Sequence, residues 1–398
     1  MLDVLNLNNF GKEFLLSLET KGIKLGLTRT KQLFEVCGNP ENHLNSIQII
    51  GTNGKGSTAA TLSSILCESE IKVGLYTSPH LVDLSERIQI NNQPIDNNFI
   101  NNFIELFGKD IDLLGCTFFE TLTVMAAYYF KDQGVEVAIF ETGLGGKFDS
   151  VTACNSKLQL FTKISMDHSH ILGDSVEDIA KDKSCAIHSN STCYSVTQDS
   201  LVTQILIEKA KKKSADINFN LENYNDNTIP SLFGSHQIEN TKLAITAAKH
   251  ITNLTENNIN QGISSVYWPG RVQLLHNNPS VYFDVSHNDD SINAFCDAIK
   301  SLNHHHKKIL IISIQKTKKI KESIPILENI FSKIIITKLN DRMYSSQTLS
   351  SMFSNKSQIE IVNNPDLAIK NTFKNIQNND LLAIIGSHYW GEHVYKNF

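Results

Sequence analysis

The stretch IQIIGTNGKGS at residues 47–57 decides how the rest of the chain is read. An apolar run, Ile47, Ile49 and Ile50, passes into a loop holding Gly51, Gly54 and Gly56 with Lys55 and Ser57, and TAATLSSILCE at 58–68 continues as a helix. A loop of this composition turns its backbone N–H groups around a phosphate. The helix N-terminus behind it adds positive potential, and a lysine at the position of Lys55 reaches the β- and γ-phosphates. The pattern is a shortened P-loop, Gly-x-x-Gly-Lys-Gly-Ser, with fewer residues between its first two glycines than the commonest form. The plain alternative is a polar turn between a strand and a helix. Three glycines, a lysine and a serine in this context favour a nucleoside triphosphate.

Composition narrows the class. A chain of 398 residues is longer than one core usually serves, so two domains, or three, are expected. The formal net charge of −5 gives no bulk electrostatic reason for a nucleic-acid or membrane partner. Seven cysteines (37, 67, 116, 154, 185, 193 and 296) are scattered, with no C-x-x-C pair. That spacing argues for reduced thiols in a cytoplasm rather than a disulfide frame or a zinc site. The opening MLDVLNLNNFGKEF has no basic region followed by an apolar run, so no signal peptide is expected, and no uncharged apolar stretch reaches membrane-spanning length. With no coiled coil or apolar surface repeat visible, a monomer is the default.

From the phosphate loop outward, strand and helix signals alternate. Residues 8–37 read as helical with a break near Lys21 and Gly22. Strands are expected at 71–76, 135–140 and 158–166, each followed by polar residues: Thr77 and Ser78, Glu141, and Asp167 with His168. Carboxyl ends of strands are where α/β sheets bind ligands. An acid directly after a buried strand, in a protein with a phosphate loop, is the usual place for a residue organising Mg²⁺, although it also serves as a cap on a glycine turn. Helices are expected at 97–107, 118–131, 174–186, 201–212 and 236–250. Glu120, in the first turn of its helix, reads equally as a dipole partner. Lys183 reads, on its own, as a surface helix lysine. Near residue 275 the composition restarts. Strands at 281–285, 309–313, 334–337 and 381–385 with helices between them mark a smaller α/β domain. The expected domains are 1–274 and 275–398. The triple His304, His305 and His306 reads as an exposed connection rather than a metal site.

These residues, in this order and over nearly the whole chain, resemble the folylpolyglutamate synthase / dihydrofolate synthase family, relatives of the Mur ligases. The resemblance rests on the loop at 51–57; TSPHL at 77–81 with Ser85, Glu86 and Arg87; Phe118, Phe119 and Glu120; ETGLGG at 141–146 with Asp149; Asp167 and His168 with Leu172 and Gly173; Ile179, Ala180 and Lys183; His236, Gln237 and Asn240; WPGR at 268–271; Asp284, His287 and Asn288; and Gly386 with Ser387. It implies a Mur-ligase-like α/β fold: a P-loop mononucleotide-binding domain followed by a smaller Rossmann-like domain. It also implies an ATP-dependent ligase of folate biosynthesis, forming an acyl phosphate on dihydropteroate or a reduced folate and passing the acyl group to L-glutamate.

Site residues follow by the same resemblance. Asn53, Gly54, Lys55, Gly56 and Ser57 hold the triphosphate, with Asn240, Arg271 and Asp284 also on ATP. Ser78, Glu141 and His168 are the expected ligands of Mg²⁺, in two ions. Lys183 is expected to carry a CO₂-derived carbamate that orients the metal-binding histidine. Lys55, His168, Lys183 and His287 are the expected catalytic set, with His287 and Ser387 near glutamate and the phosphates. The pterin substrate is assigned to Gly22, Ile23 and Lys24, to Thr117, Phe118, Phe119 and Glu120, and to Phe148, Asp149 and Ser150. The chain departs from the family pattern at Lys147–Thr152, where only Asp149 keeps the core of the motif, at Ser184 and Cys185, at Val285 and Ser286, and at Lys24, where an acid is common. These departures cluster near the pterin more than near ATP. Two alternatives stand beside the ligase: a Mur-type ligase acting on a muramyl precursor, disfavoured by the short N-terminus, and a nucleotide-binding regulator without chemistry, which has no use for Glu141, His168 and Lys183 together.

Overall fold

The computed structural model describes residues 9–225, 228–302 and 306–398, and the chain forms two compact units. The first takes in the described residues of Met1–Ile164, Ser175–Ser231 and Glu239–Val266. Its sheet has eight strands: Ser46–Ile50 (β1), Val73–Tyr76 (β2), Ile88–Ile90 (β3), Gln93–Pro94 (β4), Val137–Glu141 (β5), Leu158–Phe161 (β6), Thr192–Ser195 (β7) and Asp216–Asn218 (β8). They lie in the order β4-β3-β2-β5-β1-β6-β7-β8, parallel except where β3 and β4 run antiparallel at one edge. Every residue of β1, β2, β5 and β6 is buried, as a parallel sheet covered on both faces requires. One layer of the core gathers Tyr76, Phe103, Phe130 and Phe140 under the helices Asn97–Leu114 and Phe118–Asp132. Register aligns the functional edge. Ile49 stands level with Glu141 on one side and Leu160 on the other, so the loops after β1, β5 and β6 leave the sheet together.

The second unit takes in Ser165–Asp174, Leu232–Ile238 and the described residues of Tyr267–Phe398. Its strands are Gln273–Asn277 (β9), Ser280–Asp284 (β10), Lys308–Ile312 (β11), Lys333–Ile336 (β12), Ile359–Ile361 (β13) and Leu381–Ile385 (β14). The order is β13-β12-β11-β14-β10-β9, with only β9 antiparallel. Asp284 and Ile312 both stand level with Ile385, which brings the ends of β10, β14 and β11 to one edge. This unit is discontinuous: the short segment Ser165–Asp174, carrying Asp167 and His168, belongs with it rather than with β6.

Element ends differ from the sequence expectations for local reasons. The strand expected at 158–166 stops at Phe161. The next residues bond the phosphate loop instead, with the Lys163 carbonyl accepting from Thr52 N at 2.8 Å and Asn53 N at 3.3 Å. The helical reading of 8–37 resolves, from residue 9 on, into Phe10–Ser17 running on into a 3₁₀ turn at Leu18–Lys21, and a separate helix Thr28–Val36, set apart where Gly22 and Gly26 adopt φ of +64° and +126°. The strand β9 was absent from the sequence expectations, because QLLHN lacks a strand's alternation. Of the histidine triple, His304 and His305 lie outside the described residues. His306 is 61% exposed, with its ring 3.8 Å from Asp380. Among the described residues no helix is long and apolar enough to cross a membrane.

Candidate active site

In the first unit the site is built on the loop between β1 and the helix Lys55–Cys67. Gly54 caps that helix with φ of +88°, and a side chain there would run into the Asn240 amide. Glycine is therefore required twice over, by conformation and by space. The first N–H groups of an α-helix have no intrahelical acceptor and point at the loop. Lys55 Nζ donates to the Thr52 carbonyl at 3.1 Å and lies 3.9 Å from Glu141 Oε1. Glu141 ends β5 and is 4% exposed. Its other oxygen accepts from Ser78 N at 3.1 Å. Phosphate loop, strand-end carboxylate and the Ser78 turn are thus adjacent, as the strand register demands.

Lys183 is not the surface lysine that its sequence context suggests. It lies in the last turn of the helix Val176–Ser184, 5% exposed, and Nζ donates to the Gly51 carbonyl at 2.7 Å. The helix is docked by Asp182, whose carboxylate accepts from Gly146 N at 2.8 Å. A Cβ on Gly146 would lie 2.7 Å from the Lys183 carbonyl oxygen, so the close approach depends on that glycine. Asp149 is fully enclosed beside this turn. Its oxygens accept from Leu144 N at 2.8 Å and Val151 N at 3.0 Å. Burial pushes its carboxyl up to about 6, against the lowering effect of backbone N–H donors and of Lys183.

The residues assigned to the pterin fall on three segments of this unit. Gly22, Ile23 and Lys24 form an exposed loop, with Lys24 Nζ donating to the Gly115 carbonyl at 3.2 Å. Thr117 and Glu120 form a capping box at the head of the helix Phe118–Asp132. Glu120 is more than a dipole partner: at 3% exposure it is paired with Arg29 at 2.8 Å. The Arg87 guanidinium lies 5.1 Å from the Phe118 ring centre, and Phe119 packs on Tyr76 at 5.8 Å. Phe148 is 39% exposed under the Lys147 ammonium, and the buried Ser150 hydroxyl accepts from Thr30 Oγ1 at 3.2 Å.

The second unit presents an ionic knot at its own strand edge. Lys318, 5% exposed, donates to Asp167 Oδ1 at 2.7 Å and Oδ2 at 2.9 Å, and its Nζ is 3.1 Å from His168 Nε2. Asn288 Nδ2 donates to Asp167 Oδ2 at 3.1 Å, and His287 Nε2 lies 3.5 Å from the same oxygen. Burial raises the Asp167 carboxyl, but the His287 hydrogen bond and the charges of Lys318, His168 and His287 outweigh it and hold the group well below the usual carboxylate range. His287 Nδ1 contacts the Val285 carbonyl at 2.8 Å, which fixes the proton on that nitrogen. Asp284 spends both oxygens on backbone, accepting from Val272 N and from Ser286 N at 2.7 Å each. It thereby clamps the WPGR turn that carries Arg271. Ser387 is fully buried at the end of β14 and takes a 3.5 Å contact from Gln315 Nε2. Lys318 was missed by sequence reasoning. It sits in the run KTKK at 316–319, which looks like a solvated face, and its only signal was its place shortly after β11.

A glycine-rich phosphate loop beside a buried strand-end carboxylate, in a parallel α/β unit followed by a second parallel α/β unit, defines an ATP-using enzyme of the Mur-ligase fold. Comparison with known proteins agrees. Residues 270–388 match the family model "Mur ligase, glutamate ligase domain". The chain is 30% identical over 413 aligned positions to the dihydrofolate synthase/folylpolyglutamate synthase of Bacillus subtilis, covering 94% of this chain and 95% of that protein. Among solved structures, Mycobacterium tuberculosis folylpolyglutamate synthase complexed with ADP aligns with a TM-score of 0.89 at 23% identity, over 97% of this chain and 98% of that one. The bifunctional enzyme of Yersinia pestis complexed with AMPPNP and Mn ion aligns at 0.85 and 23%, over 97% of each. The chain belongs to the dihydrofolate synthase/folylpolyglutamate synthase family, and it is an ATP-dependent ligase.

Proposed function

We propose that this enzyme joins L-glutamate to dihydropteroate and to reduced folates. A substrate carboxylate attacks the γ-phosphate of ATP, giving an acyl phosphate and ADP. The glutamate amine then attacks the acyl carbon, an amide forms and phosphate leaves. Catalysis of this kind rests on positioning and charge neutralisation rather than on covalent help from the protein. The observation that carries the proposal is Lys55 on the phosphate loop, 3.9 Å from the buried Glu141.

The individual roles are as follows. Asn53, Gly54, Lys55, Gly56 and Ser57 cradle the triphosphate, and Lys55 follows the charge that moves onto the β–γ bridge. Asn240, Arg271 and Asp284 contact the nucleotide, and His287 and Ser387 serve glutamate. The segments at Gly22, Ile23 and Lys24, at Thr117, Phe118, Phe119 and Glu120, and at Phe148, Asp149 and Ser150 border the pterin. Ser78, Glu141 and His168 would hold Mg²⁺. The oxygen donors fit a hard cation, Glu141 being a buried carboxylate beside the phosphate loop and Ser78 a hydroxyl, whereas the imidazole of His168 is an unusual ligand for Mg²⁺ and its Nε2 meets the Lys318 ammonium. The metal, when bound, neutralises phosphate charge. A carbamate on Lys183 fits as well. It keeps one N–H, so the bond from Nζ to the Gly51 carbonyl survives while the side chain becomes an anion. A cytoplasmic monomer is the proposed state; seven free thiols support the cytoplasmic part of it.

Phosphate release that requires both glutamate and dihydropteroate, with product mass increased by one glutamyl residue, is the expected result. Hydrolysis of ATP indifferent to glutamate would instead indicate a nucleotide-driven regulator.

A further inference from the structure

One guanidinium joins three separate pieces of the first unit. Arg29 lies in the first turn of the helix Thr28–Val36. Its Nε donates to Glu120 at 3.0 Å and 3.1 Å, and Nη2 lies 2.8 Å from Glu120 Oε1. The same Nη2 donates to the Lys24 carbonyl at 2.9 Å. Glu120 Oε2 in turn accepts from Thr117 N at 2.7 Å, closing the capping box. The buried carboxylate at the head of the helix Phe118–Asp132 is thereby tied, through Arg29, to the backbone of the loop at 22–26.

That loop is unusual in what it exposes. Ile23 is 65% exposed and Leu25 58% exposed. Both glycines that bound it, Gly22 and Gly26, have positive φ, a conformation glycine takes without strain. Free to move, a loop carrying two large apolar side chains would turn them inward to bury them. Two cation-to-carbonyl bonds tie the loop in its outward conformation: Arg29 to Lys24 O, and Lys24 Nζ to Gly115 O. An apolar surface held open in this way is preorganised for a ligand.

We propose that Arg29 is a positioning residue for the acceptor substrate, holding Ile23 and Leu25 outward as an apolar platform for a flat heteroaromatic ring. This rests on the assignment of the 22–24 segment to the pterin. The planar fork of arginine is essential to the role, because it serves the carboxylate and the carbonyl at once, whereas an ammonium serves one of them well.

The test is steady-state kinetics of Arg29→Lys and Arg29→Ala with each of the three substrates varied, together with melting temperature. Loss of one charge-assisted hydrogen bond predicts a KM for dihydropteroate raised about tenfold in Arg29→Lys, with KM for ATP and for glutamate unchanged. Arg29→Ala shows a larger rise, partly reversed by millimolar guanidinium. Amide hydrogen exchange at 22–26 accelerates in both variants. If Arg29→Lys melts lower but keeps all three KM values, or if the three rise together, Arg29 only braces the fold and the proposal is overturned. If the wild-type enzyme releases no phosphate on dihydropteroate and glutamate, the assignment of the acceptor is at fault. Normal wild-type turnover with unaltered KM in the variants would remove the role of Arg29 alone.

Discussion

The two strand edges of this enzyme solve the same electrostatic problem in opposite ways. At the edge of the first unit, positive potential comes from backbone: a glycine loop, a helix N-terminus and one lysine beside one carboxylate. At the edge of the second, it comes from side chains packed into a knot, with Lys318 on both oxygens of Asp167 and against His168. Backbone dipoles are permanent, so most of the first edge's positive potential does not depend on a side-chain ion pair. The second edge has already neutralised its main cation, and a ligand there competes with Asp167. The phosphate loop is therefore built to receive charge, and the knot is built to hold a geometry.

That contrast can be broken most directly at Lys55. Lys55→Ala is expected to lower kcat by about a thousandfold, since a charge aimed at the transferring phosphoryl group acts chiefly in the transition state. KM for the pterin substrate should barely move, and equal losses in both would mean that the loop does more than carry phosphate. Lys183→Ala should also lose most activity, and added bicarbonate should not restore it. Full activity in that variant would remove the carbamate from the scheme.

The second edge should answer in stability rather than rate alone. Lys318→Met leaves Asp167 buried without its main counter-charge, and breaking a buried pair this way costs about 3–5 kcal/mol. Calorimetry should place the loss in the unfolding of the second unit. A variant as stable as wild type would show that the knot is loose, and so nearer in character to the first edge than the contrast allows.

The smallest effect is a pH slope from Asp149. Its folded carboxyl lies near 6, above the usual carboxylate value, so the folded state binds its proton more tightly than the unfolded chain. Stability from this group is full at low pH and falls as pH rises through about 4 to about 6, by up to about 3 kcal/mol. Denaturant midpoints measured across that range, in wild type and in Asp149→Asn, should differ in slope. Parallel curves would mean that the backbone N–H donors keep the carboxyl ionised throughout.

How much of this was legible beforehand depended on whether the chemistry was local. The phosphate loop is contiguous, and its glycines, lysine and serine have one sensible common use. Glu141 was legible because an acid directly after a buried strand has few places to go. Lys183 was legible only through the family resemblance, because its burial depends on Gly146 and Gly51, both far away in sequence. Arg29 and Lys318 went unread. One sits in the first turn of a helix and the other in a lysine run, and each acquires its partner, Glu120 or Asp167, only when the chain has folded.

By itself, then, the sequence determined two parallel α/β units, a triphosphate loop and the order of the polar strand ends, because periodicity and short motifs are encoded over a few residues. Tertiary structure alone decided that Ser165–Asp174 joins the second unit, that Lys183 is buried and that single cations pair with carboxylates far away in the chain. Those outcomes depend on which buried charges find partners in a low-dielectric interior, and partner choice across 91 residues, for Arg29 and Glu120, or 151, for Lys318 and Asp167, leaves no local pattern to read.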